Sequence, residues 1–268
     1  MLSISKKLSI TSLLTFLFVC LLTACATNIA GRKQVMLVSE SQAIESSKLA
    51  YTEMLAPLEK AGKLDSDPAL VKRINTITDR LVEQAKIKRP DSADWEWSVK
   101  VIDDPETVNA WCMAGGKMAI YTGLISKLKA TDDEIAQVMG HEISHALANH
   151  SAERMSVAIA SDLALSAIAT MTESSATTTS LTAVAAQVAL TLPNSRTSEA
   201  EADVLGIEIA ARAGYDPNAA VSLWQKMEQV SGSGGFEFLS THPAPDNRQQ
   251  KLRDLIPKMM PYYLAAKK

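Results

Sequence analysis

The chain has 268 residues, 47% of them hydrophobic, with 27 Lys and Arg against 30 Asp and Glu. That length and apolar content support a real core in one large domain or two small ones. The acidic balance, a net charge of −3, argues against nucleic acid as a partner.

In chain order, Lys6-Lys7 precede an apolar run over 13–22 that is too short to span a bilayer, followed by small residues. This is the pattern of a secretory signal over residues 1–24. Leu22-Thr23-Ala24-Cys25 resembles the lipobox of bacterial lipoproteins, in which Cys25 becomes the acylated first residue; an uncleaved anchor is the alternative. Loss of Lys6 and Lys7 would take the net charge from −3 to −5. Two or more acyl chains would hold the protein stably on a membrane. Ala26 after Cys25, in place of an aspartate, resembles a sorting signal for the outer membrane. Cys112 is then the one thiol left, which rules out an internal disulfide and fits a small buried hydrophobe. The organisation expected is a signal over 1–24, a lipidated tether over 25–38 and a single domain over 39–268.

Residues 39–59 read as a helix, and Asp67-Pro68 starts a second whose Leu70, Ile74, Ile77 and Leu81 form a buried face. Both are scaffold. Residues 95–101 alternate apolar and polar as a half-buried strand with Trp95 and Trp97 on one side. Gly115-Gly116 turns the chain between two further extended pieces, giving a small antiparallel sheet. Its edge near 117–121 either takes an extended peptide by strand addition or is an ordinary edge.

Residues 138–147 carry His141-Glu142-Ile143-Ser144-His145. Thr131 and Glu134 supply a capping-box start, and Ile135, Val138, Met139, Glu142 and Ala146 recur at helical spacing. On a helix His141 and His145 are one turn apart on one face, a spacing that fits two ligands of one zinc. Glu142 lies roughly 100° round from His141, placed to act as general base without being a ligand. Two apolar stretches follow, 156–171 and 181–192, each short of the ~20 residues a spanning helix needs. They read as helices or a flap over the core.

Two histidines leave a catalytic zinc one protein ligand short. His150, five residues after His145, is out of register for a metzincin third ligand and reads as a helix-end or packing residue. In a second helix ending at Gly214, Glu199 and Asp203 share a face while Glu201 points away towards solvent. Glu199 can complete a His-His-Glu site with Asp203 orienting a ligand imidazole; the same pair also suits an exposed helix start. His242, on a loop after Ser231-Gly232-Ser233-Gly234-Gly235, either swings to the metal or caps the last helix.

Asn109-Ala110 with Gly115-Gly116, the His141 to His145 motif, Ser195-Arg196 with Glu199-Ala200-Glu201-Ala202-Asp203, and His242-Pro243 with Arg248 resemble the zinc metallopeptidase family of HtpX and the CAAX prenyl proteases. The lipobox and Gly31-Arg32-Lys33-Gln34 resemble its periplasmic lipoprotein branch. Trp111-Cys112-Met113-Ala114 departs from the family's usual Phe and apolar-Leu-Pro. The resemblance implies a mostly helical α+β zincin-like domain with its small sheet beside the active-site helix. It implies one zinc per chain on His141, His145 and Glu199, with Glu142 as catalytic base and Asp203 in support; His242, as a loop histidine able to reach the metal, is a second candidate catalytic residue. As function it implies hydrolysis of misfolded or unassembled envelope proteins at the periplasmic side of the outer membrane, alongside other assembly or protease components. The rival reading is a latent, chaperone-like assembly factor whose site is blocked by His242 or by 156–192.

Overall fold

Local signals decide where the first elements begin. The stretch 25–38, read as a tether, is ordered as a hairpin of β1 (Cys25–Thr27) and β2 (Lys33–Val35), with Asn28 and Gln34 buried. Ser39 then caps α1 (Glu40–Lys60), accepting from the Gln42 amide while the Gln42 side chain accepts from the Ser39 amide. Asp67 accepts from the Ala69 and Leu70 amides at the head of α2 (Pro68–Lys88), where Pro68 sacrifices no hydrogen bond. Ile74, Ile77 and Leu81 of α2 are buried as expected, and Leu70 is partly so.

The computed structural model describes residues 25–171, 181–190, 194–230, 237–243 and 247–268. The signal expected over 1–24, the break over 172–180, the Ser/Gly run over 231–235 and Ala244-Pro245 lie outside the described residues.

A three-stranded sheet follows: β3 (Ser98–Ile102), β4 (Ala110–Met113) and β5 (Lys117–Tyr121), in the order β3-β5-β4. β4 and β5 are the expected antiparallel hairpin, turned at Gly115 and Gly116, both with φ of +79°. β3, however, pairs with β5 in parallel, so the sheet is mixed and β5 is its central strand. Residues 117–121 are therefore not an edge; β3 and β4 are the outer strands. The cause lies after β3, where the Asp104 carboxylate accepts from the Glu106 and Thr107 amides and the Thr107 hydroxyl. That turn sends the chain past the adjacent position to the far side, and β5 fills the gap. The strand also starts later than expected: Trp95 and Trp97 lie ahead of it in a tilted ring contact with centroids 5.2 Å apart.

Both faces of the sheet are covered, which is why β4 is buried at all four positions. Val101, Ala110, Cys112, Met118 and Ile120 join the core formed with α2. Ile102, Trp111, Met113 and Ala119 pack with residues of α1 on the other face. After the short α3 (Thr122–Lys127) comes α4 (Asp132–Leu147), the helix of the His-Glu-x-x-His motif, whose capping box joins Thr131 and Glu134 as expected. Residues 134–147 of α4 are buried without exception, so it is the central post of the fold. The remaining helices are α5 (His150–Met171), α6 (Leu181–Leu190), α7 (Arg196–Arg212), α8 (Ala219–Val230), α9 (Glu237–Thr241) and α10 (Arg248–Ala266). Among the described residues no helix is long and apolar enough to cross a membrane. The architecture is mostly helical α+β.

Candidate metal centre

Two helices that would normally stand apart meet backbone to backbone. α4 presents Gly140 and α7 presents Gly206, and a Cβ on Gly206 would lie 2.8 Å from the His141 nitrogen. Across that seam Glu199, at the first turn of α7, faces the imidazoles of α4. Its Oε2 is 3.4 Å from His141 Nε2, its Oε1 is 3.3 Å from His145 Nε2, and the two Nε2 atoms are 3.0 Å apart. His242, just past α9, completes the cluster: ligand atoms of His141, His145, Glu199 and His242 all lie within 4.8 Å of one another, and all four residues are buried.

The donor set fits zinc. A tetrahedral ion with N and O donors at about 2.0–2.2 Å keeps them roughly 3.3–3.6 Å apart, close to the separations here. Glu199 Oε1 and Glu142 Oε1 are buried with no hydrogen-bond partner, a costly state for carboxylates that a cation and its water would relieve.

Outer partners fix which ring nitrogen faces the centre. Asp203 Oδ1 is 3.1 Å from His141 Nδ1 and accepts its proton, which leaves the Nε2 lone pair inward. On the other side His145 Nδ1 is 2.8 Å from His150 Nδ1, and His150 Nε2 is 2.8 Å from Glu201 Oε2. Arg248 binds the two carboxylates of α7 together, donating from Nη1 to Glu199 (3.0 Å) and from Nη2 to Asp203 (2.5 Å) while lying 3.6 Å over the Trp224 ring. Burial raises the Glu199 carboxyl, but His242, His141 and His145 outweigh it and hold the group well below its ordinary value. Burial, with His141 and His150 close by, takes His145 well below an ordinary histidine against the pull of Glu199; at His141 the Asp203 and Glu199 carboxylates overcome burial and hold the imidazole at about 9. Positive charge is thus favoured at His141 and disfavoured at His145.

Glu142 is buried beside the cluster, its Oε1 3.2 Å from His242 Nε2. His242 Nδ1 donates to the Phe238 carbonyl at 3.0 Å and its ring stacks on Phe238 with centroids 4.2 Å apart. It does not cap α10, which is preceded by Asn247. Cys112 is buried in the core, and burial pushes its thiol up.

Two readings of the sequence need correction. Glu201 is not directed to solvent: it receives hydrogen bonds from Asn28 (2.8 Å) and Arg32 (2.5 Å), because the N-terminal hairpin folds back over that side of α7. His150 does not end a helix but starts α5. Asn149, in the left-handed region at φ +57°, breaks α4 and turns His150 back onto His145. Arg154 carries no signal in the sequence. It lines a cavity of about 450 Å³ with Asn194, Ser195 and Ser198; burial lowers its pKa to about 10 against the pull of Glu142 and Glu199.

A buried His-His-Glu cluster with an unliganded glutamate beside it, on a helical α+β scaffold, defines a zincin-like metallopeptidase. The description "Peptidase family M48" matches residues 68–256. The chain belongs to that family. It is 36% identical over 169 residues to the mitochondrial metalloendopeptidase OMA1 of Schizosaccharomyces pombe, covering 62% of this chain and 48% of that one. Human OMA1 is 30% identical over 244 residues, 87% of this chain and 46% of its own. The beta-barrel assembly-enhancing protease of Yersinia pestis is 30% identical over 210 residues, 75% and 42% respectively. The chain spans about half the length of these relatives.

Proposed function

We propose that the chain is a zinc-dependent metalloendopeptidase that hydrolyses misfolded or unassembled envelope proteins from the periplasmic face of the bacterial outer membrane. The observation that carries the chemistry is the four-residue cluster with Glu142 unpartnered at its side. The lipobox ending at Cys25 supports the anchoring, and the resemblance to the Yersinia pestis protein, whose name ties it to β-barrel assembly, supports the substrate class.

His141, His145 and Glu199 would hold the zinc, which when bound supplies Lewis acidity and makes a water acidic near pH 7. Glu142 Oε1, with no competing hydrogen bond, takes the proton of the attacking water and returns it to the leaving amine. An extended substrate has a strand to pair with in β4. Asn109 and Met113 spend their carbonyls on the Tyr121 and Gly116 amides, so by alternation the backbone of Cys112 faces away from β5, on the side where a further strand would pair. His242, inside the cluster and against Glu142, is placed either to stabilise charge on the substrate or to close the resting site. The second position is what favours the alternative, a largely latent assembly factor.

Purified full-length protein is expected to carry one equivalent of zinc and to cleave casein or an unfolded outer-membrane protein; absence of stoichiometric zinc overturns the proposal. Anchoring is checked separately. Cells fed labelled palmitate should yield labelled protein, and Cys25→Ser should abolish the label and release the protein from the membrane fraction.

A further inference from the structure

The hairpin at the N-terminal end of the described chain does more than precede the domain. Its loop is built around Asn28, whose Oδ1 accepts from the Ala30 and Arg32 amides (both 3.0 Å), with Gly31 at φ +84° completing the turn. This presents Arg32 to two carboxylates at once. Nε donates to Glu201 Oε1 at 2.5 Å, while Nη1 and Nη2 both donate to Glu153 at 2.7 Å. Buried Gln34 donates to Glu153 and to the carbonyl of Ala148, where α4 ends. The hairpin thereby clamps the α4–α5 corner to α7.

Glu201 is where this clamp meets the metal centre. One of its oxygens receives Arg32, and the other receives Asn28 and His150 Nε2. With its Nε2 proton committed to Glu201, the fully buried His150 offers a bare Nδ1 to the Nδ1 proton of His145. His145 is then left in the tautomer whose Nε2 lone pair points at His141 and Glu199. Asp203 performs this service directly for His141; for His145 it is performed at a distance, and the far end of the line is a residue 113 positions earlier in the chain.

We infer that Arg32 is a positioning residue for the metal site: through Glu201 and His150 it orients and fixes the tautomer of His145, so the centre is complete only when the N-terminal hairpin is docked. The inference rests on the proposed zinc site. Outer partners of metal-bound histidines typically carry about 10–100-fold in affinity, and Arg32 acts on one through a single intermediary. A lysine has one compact ammonium and cannot serve Glu201 and Glu153 together as the guanidinium fork does.

The test is zinc affinity of the full-length protein, measured by competition with a fluorescent chelator, together with the visible spectrum of the cobalt-substituted protein and the ¹⁵N shifts of the His145 ring. Arg32→Ala is expected to weaken zinc about tenfold or more, to alter the cobalt spectrum and to mix the His145 tautomers, with Arg32→Lys restoring little. Arg73→Ala, which removes an ion pair with Asp132 at the other end of α4, should change none of these. Glu201→Gln reaches the same line from its middle and covers the case in which Arg32→Ala fails to fold. The double variant should lose no more than the worse single. Wild-type zinc affinity and an unchanged cobalt spectrum in Arg32→Ala or Glu201→Gln would overturn the inference while leaving the metal site standing. A wild-type protein without zinc would instead remove the reading on which it rests.

Discussion

Replacing Glu142 with glutamine is expected to slow hydrolysis of an unfolded protein by about 10²–10⁴-fold with zinc still bound. Glutamine keeps the shape of the side chain, so the buried pocket beside His242 stays filled. It cannot take up a proton at the oxygen that now stands unpartnered, and at about 1.36 kcal/mol per decade the loss amounts to roughly 3–5 kcal/mol of barrier. Glu142 is not among the grouped ligand residues, so the metal should remain. Casein cleavage and zinc content on the same preparation check both halves. A variant that cleaves at the wild-type rate removes Glu142 from its role as base. One that is inactive yet restores envelope function in cells as well as wild type does would shift the main task to the chaperone-like reading.

How much of this could be read beforehand depended on how local the cause was. Ser39 with Gln42 and Thr131 with Glu134 place helix starts because their hydrogen bonds close within three residues. His141 with His145, and Glu199 with Asp203, are legible because helical spacing alone puts each pair on one face. Alternation in residues 98–121 gives the faces of strands but not their neighbours; pairing β3 with β5 depends on where the Asp104 turn sends the chain. The surroundings of Glu201 are hidden from the sequence for the same reason. Helix geometry correctly turns it from Glu199, but what covers that side arrives with Arg32, 169 residues away. For His150 there was a signal, Asn149 after Ala148, since asparagine tolerates the left-handed conformation that ends a helix and reverses the chain. Arg248 entered the resemblance without a role; no spacing rule links it to Glu199 and Asp203, and only the folded core shows it joining them.

Gly206→Ala is expected to cost the protein its zinc while leaving it folded. The added methyl would lie 2.8 Å from the His141 nitrogen, 2.9 Å from its Cα and 3.0 Å from the Gly140 carbonyl carbon, all backbone atoms of a helix buried on every side. None of them can turn aside, so α7 has to move off α4. Overpacking of this kind costs about 1–3 kcal/mol, and replacing a mid-helix glycine by alanine returns about 1 kcal/mol of helix propensity. The net change in folding stability is therefore about 0–2 kcal/mol by the same two terms. The metal site has no such compensation, because the same displacement carries Glu199 away from His141 and His145. Zinc affinity should fall by more than the roughly 10–100-fold typical of losing an outer partner. Gly140→Ala should be milder: its methyl meets the Gly206 carbonyl oxygen at 3.0 Å, with its next neighbours at 3.6 and 3.7 Å. Chelator competition for zinc and urea unfolding of the chelated proteins separate the two effects. Equal zinc affinity in Gly206→Ala and wild type would show that close backbone contact between α4 and α7 is not what sets the reach of Glu199.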